Sequence, residues 1–169
     1  FPGSHRYCDT TVGNRLRYRS HECIEHSDSS ELRITQFDCQ TSLVAVSVFV
    51  VKAAISGVRT WTEVRIESEG HLYIEAITSA VVGAILLRPD AAVEDLDLLY
   101  GNSDWVAESR WHRAKLREID IIDIDPETHY HSSRSRFSLT SRSSWSTGEH
   151  LPTGALLLRD GSRALGWQI

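Results

Sequence analysis

Two pairs of side chains able to ligate a metal stand near the start of the chain, His5-x-x-Cys8 and, after fourteen intervening residues, Cys23-x-x-His26. A thiolate and an imidazole at that spacing can chelate from a single turn. Two such pairs complete the four-coordinate tetrahedron that zinc prefers, and His21 is a spare donor. A structural reading competes: Cys23 falls at the end of an expected strand, where small buried cysteines are common, and surface histidines need no metal. Three cysteines, Cys8, Cys23 and Cys39, allow one bridge and leave one thiol over, so they do not fix the compartment.

Carboxylates and imidazoles gather a second time at Asp120, Asp123, Asp125, Glu127, His129 and His131. On a strand His129 and His131 would point the same way, which suits a shared metal ion; oxygen ligands such as Asp123 and Asp125 alone would suit calcium or magnesium. Against this, Pro126 interrupts the alternation between acids and histidines, and Asp125-Pro126-Glu127-Thr128 has the composition of an ordinary exposed turn. No obligatory cofactor is expected; zinc or calcium would follow only from these two clusters.

Arg134, Arg136 and Arg142 share one parity, while Phe137, Leu139 and Trp145 share the other. Guanidinium groups interleaved with Ser and Thr offer donors to a phosphate, a sulfate or a neighbouring subunit. The competing reading is a solvated strand face paired with nearby acids, and three arginines make a smaller electrostatic footprint than nucleic-acid binding normally needs. Serine is abundant, yet there is no Gly-x-Ser-x-Gly elbow and no glycine-rich phosphate loop. No catalysed reaction is expected.

The elements that would carry these groups are mostly strands. Apolar and β-branched runs predict strands at about 15–24, 31–39, 43–54, 58–67, 72–77 and 81–87. The run Ser42 to Ala54 is apolar at both parities with no charge before Lys52, the pattern of a strand buried on both faces and central in its sheet. Val58, Thr60, Thr62, Val64 and Ile66 alternate with Arg59, Trp61, Glu63, Arg65 and Glu67, giving a strand with one wet face. After Asp90, the spacing of Val93, Leu96 and Leu99 or Tyr100 predicts a short helix near 91–100, closed by Gly101-Asn102. Residues 104–116 fit a strand or a helix equally, and Ile119, Ile121, Ile122 and Ile124 suggest extended chain with a bulge. Another bent strand is expected within 129–146. Asp160-Gly161 between two apolar segments predicts a terminal hairpin.

With 169 residues, 41% hydrophobic and 24% charged, the chain has the make-up of one globular domain spanning 1–169, with 1–14 as an extended N-terminal arm. No apolar run is long enough to cross a bilayer as a helix, no membrane partner is expected, and the N-terminal residues lack a signal-peptide layout. The net charge of −5 is concentrated in the middle of the chain; 62–127 holds fifteen acidic and six basic side chains. The expected fold is a mainly-β sandwich or barrel, with a jelly roll favoured. In layout the order of elements resembles that of small viral coat subunits, although no motif maps residue by residue. That resemblance implies a structural subunit that self-associates through its sheet surfaces, located in a virion. The alternative is a small-molecule- or carbohydrate-binding β-barrel, metal-dependent or not, with Trp105, Trp111, His129 and His131 around its pocket.

Overall fold

The computed structural model describes residues 11–74, 76–82, 90–119, 121, 137–142, 144 and 148–169. The chain is mainly β, as expected, with two antiparallel four-stranded sheets. It divides into two compact units, Phe1–Gly83 and Ala84–Ile169, each holding one of the sheets.

In the first unit a short helix α1 (Thr11–Arg15) precedes β1 (Arg17–Glu25), β2 (Ser29–Asp38), β3 (Leu43–Lys52) and β4 (Val58–Ile66). The sheet order is β1-β2-β3-β4, so β3 is flanked on both sides, as its two-faced apolar sequence predicts. Val44 and Val48 are fully buried and Val46 nearly so; Phe37, Val50 and Trp61 pack against them. One irregularity interrupts the ladder. The β1–β2 register shifts between Tyr18 and Ser20, which leaves Arg19 as the extra residue of a bulge.

In the second unit β5 (Leu96–Asp104), β6 (Ala107–Lys115), β7 (Glu149–Leu158) and β8 (Ala164–Gln168) form a sheet of order β6-β5-β7-β8. Ala91, Leu96, Leu98, Leu116 and Leu158 make its core, joined by Tyr100, Ile121, Phe137 and Leu156. Two glycines permit close packing here. A Cβ on Gly101 would lie 2.4 Å from Leu151 Cδ1, and one on Gly154 would lie 2.6 Å from Trp167 Cζ2 and 2.8 Å from the Leu99 carbonyl oxygen.

Several local expectations change. The short helix expected near 91–100 is a single 3₁₀ turn, Val93–Asp95, and the chain then enters β5. Val93, Leu96 and Tyr100 fit a helical spacing while Leu96, Leu98 and Tyr100 fit period 2, and pairing with both β6 and β7 decides for the strand. Residues 72–74 and 76–77 are not a strand: hydroxyls of Thr60 and Thr62 donate to the carbonyls of Ser79 (3.4 Å) and Thr78 (3.0 Å), and the segment joins β4 through these instead of a ladder. Leu116–Ile119 forms a 3₁₀ turn, closed when the Ile121 N–H donates to Leu116 O at 2.9 Å, so extended chain does not begin there. Residues 137–142 are irregular and Phe137 packs on Tyr100, centroid to centroid 5.6 Å. The remainder of the expected strands at 81–87 and 129–146, and most of the isoleucine run, lies outside the described residues, as do residues 1–10 of the expected arm.

A jelly roll is built of Greek keys, in which a fourth strand returns beside the first. Here β4 lies beside β3, and the first sheet is a meander because its three connections, 26–28, 39–42 and 53–57, are too short to carry the chain anywhere else.

Two stability outcomes follow. Val48→Asp places a carboxylate at a fully buried position of the valine stripe and should cost about 3 kcal/mol; an unchanged urea midpoint would contradict the packing. Val106, a β-branched residue, holds φ +62° at the β5–β6 turn. Val106→Gly should raise stability by about 0.5–1 kcal/mol, read as a higher urea midpoint, because only glycine adopts that conformation without strain.

Candidate functional site

Cys23 lies on β1 opposite Leu32, free and exposed, and Cys39 is likewise free and exposed. His26 lies in the turn that follows, where its N–H donates to Ser29 O at 2.8 Å. Cys23 is therefore not the buried cysteine of the structural reading. The other half of the zinc motif, His5 and Cys8, lies outside the described residues, as do Asp123, Asp125, His129, His131, Arg134 and Arg136. Arg142 is exposed, and its backbone N–H donates to Glu149 Oε2 at 3.2 Å. Among the described residues no three His, Cys, Asp or Glu side chains converge as a metal site would require.

The structure brings together charged groups that the sequence scatters. By register Val50 lies between Glu31 and Arg59, Val48 between Arg33 and Trp61, Val46 between Thr35 and Glu63, and Val44 between Phe37 and Arg65, all on one face of the sheet. Arg33 on β2 donates to Glu31 at 2.8 Å and also reaches across β3 to Glu63 on β4, at 2.5 Å. Trp61 Nε1 donates to Glu63 Oε1 at 3.0 Å, and the Arg59 guanidinium lies 5.5 Å from the Trp61 ring centre. From the bulge in β1, Arg19 passes over Phe37 (5.2 Å) and donates to Glu67 at 2.8 Å. The stripe of valines thus lies beneath a roof of arginine, glutamate and aromatic side chains. Hydrogen bonds from Trp61 and Arg33 lower the Glu63 pKa, and Arg19 lowers that of Glu67.

A fourth carboxylate, Asp38, is fully buried at the end of β2. It accepts from Arg15 Nε (3.1 and 3.3 Å) and Nη2 (2.8 Å), from Thr41 Oγ1 (2.7 Å) and from the Gln40 N–H (3.2 Å). The Arg15 bonds, then Thr41, hold its carboxyl well below the usual range. Its oxygens are engaged by Arg15 of α1 and by the 38–42 turn, so this group ties the two together. In the second unit Asp97 has a similar part, accepting from Arg113 Nε at 2.7 Å and Arg159 Nη2 at 3.4 Å.

Two surfaces remain as candidates for binding. In the first unit several large apolar side chains between residues 51 and 82 are exposed, among them Ile55 and Val58 (61% and 60%), Tyr73 (98%) and Val81 (72%). In the second unit a cavity of about 630 Å³ opens on the sheet face that carries Leu98, Leu156 and Trp167, closed on another side by Ile121 and Phe137. Trp105, 80% exposed at the β5–β6 turn, and Trp111, 49% exposed on β6, do not line it. Nothing local in the sequence joins 93–98, 116–121, 137–141 and 150–169 into one wall.

No protein-family model, curated protein or solved structure matches the chain.

Asp38, Glu63 and Glu67 all titrate lower in the folded state, so they contribute stability above the unfolded carboxylate pKa of about 4 and lose it as pH falls through their folded values. The urea midpoint of the first unit should therefore drop steadily below about pH 4. Asp38→Asn should flatten that dependence more than Glu67→Gln does, since Asp38 is enclosed and Glu67 is partly exposed. A midpoint that holds or rises on acidification contradicts this assignment.

Proposed function

We propose that the protein is a structural subunit that self-associates and catalyses no reaction. The observation that supports this best is the exposed apolar surface of the first unit. Soluble monomers seldom leave large apolar side chains together in water, and where they do the surface is usually an interaction site. Ile55, Val58, Tyr73, Ile74, Val81 and Val82 all belong to one stretch of chain. The strands β1 and β4 end the first sheet, with no further strand beside them among the described residues, and their outer edges offer backbone groups for pairing with another copy. Charge is unevenly spread along the chain, acidic over 62–127 and basic beyond, and surfaces of opposite sign can complement one another between copies. A capsid is one assembly of this kind, but the meander gives no topological support for that narrower form, so the proposal rests on surface chemistry.

The other expectation, a small-molecule-binding protein, draws support from the cavity in the second unit and not from Trp105 and Trp111. Its metal-dependent form rests on side chains outside the described residues.

Sedimentation velocity over a hundredfold range of concentration tests self-association. The weight-average mass should rise with concentration, and Val58→Lys should shift the distribution toward monomer while leaving the circular dichroism spectrum unchanged. A single monomeric species throughout, with or without the substitution, contradicts the proposal.

A further inference from the structure

The second unit carries a feature that self-association does not use. Its cavity measures about 630 Å³ and is lined almost wholly by Leu, Ile, Val, Phe, Pro and Trp. That volume falls within the range of about 300–1,000 Å³ that holds small ligands, and it far exceeds the packing voids of a folded core. We infer that this cavity is a binding site for a small, uncharged, largely apolar molecule carrying one hydroxyl or carbonyl group.

Three observations set that chemistry. None of the lining side chains among the described residues is Asp, Glu, Lys or Arg, so nothing there offsets the desolvation of a charged ligand. The polar lining residues, Ser141 and His150, adjoin one another, which gives the cavity one polar end. Ser141 Oγ donates to the His150 carbonyl at 2.9 Å and accepts from its N–H at 3.3 Å, and this clamps the 141 segment to the start of β7. His150 Nδ1 lies 3.4 Å from Asn102 Nδ2, which leaves Nε2 as the ring nitrogen not committed to Asn102. One wall is shaped by glycine. Because Gly154 has no side chain, the Trp167 ring lies directly against the sheet, where a Cβ would meet it at 2.6 Å. Trp167 is thereby an aromatic side of the cavity, so its fluorescence should report on occupancy.

Calorimetric titration of the full chain with 1-decanol, decane and decanoate tests the assignment. Saturable binding of 1-decanol is expected, with decanoate much weaker, together with a change in tryptophan emission that Trp167→Phe removes while the calorimetric signal remains. His150→Ala should weaken 1-decanol about fivefold, the loss of one hydrogen bond, and leave decane unchanged. Leu156→Trp, which narrows the cavity, should weaken binding of 1-decanol and decane alike. If Leu156→Trp does not fold, thermal melting of the unaltered protein decides instead, since 1-decanol should raise the melting temperature more than decanoate does. No saturable binding of 1-decanol, binding unaffected in a folded Leu156→Trp variant, or tighter binding of decanoate overturns the inference.

Discussion

A sheet face that holds both the core of a unit and a row of charges must keep the charges above the apolar groups, and the first unit is built around that constraint. Val44, Val46 and Val48 run down the middle of β3, and the side chains that cover them come from the strands on either side. Arg33 spans β3 to reach Glu63, so its aliphatic stem lies over valine while its guanidinium stays at the surface. Magnitudes show which part matters more. An exposed ion pair contributes about 0–1 kcal/mol, whereas each fully buried valine contributes about 1.5–3 kcal/mol. The ion pairs matter chiefly because they fix where the covering stems lie.

The same logic places the bulge in β1. An extra residue at Arg19 breaks the alternation and lets that side chain run across Phe37 to Glu67, which extends the roof to the end of the stripe at Val44. At the far end of β2, Asp38 and Arg15 tie α1 to the 38–42 turn, so the start of β3 is held where its first buried valine must sit. The second unit meets its own constraint differently. Its core is leucine-rich and its tight contacts are made at Gly101 and Gly154, which bring β7 and Trp167 close to β5 and leave a cavity beyond them.

How much of this was legible in the sequence depends on the range over which each feature is encoded. The wet face of β4, the two-faced burial of β3 and the hairpin at Asp160-Gly161 are written in consecutive residues, and each appears in the structure. Over β5 the sequence supports two periods, Val93, Leu96 and Tyr100 for a helix and Leu96, Leu98 and Tyr100 for a strand, and only pairing with β6 and β7 separates them. Leu72, Ile74 and Ala76 alternate like a strand, yet threonine hydroxyls hold the following residues instead of a ladder. The roof was not legible. Its bridges join residues 30 and 48 apart, and which parity of β3 shares a face with Glu63 depends on register, which no local pattern specifies. The clusters around 5–26 and 120–136 drew notice through residue type and spacing, signals that carry no information about convergence in space.

Hydrogen–deuterium exchange resolved along β3 addresses the central claim directly, that a charged roof covers the valine stripe and anchors the first unit. The account predicts that the amides of Val44 to Val48 exchange more slowly than any in β1, and that they remain protected at about 1 M salt, because the roof acts by covering apolar groups and not by Coulomb attraction. Exchange of those amides at the rate of the β1 edge, or loss of their protection in salt, would contradict it.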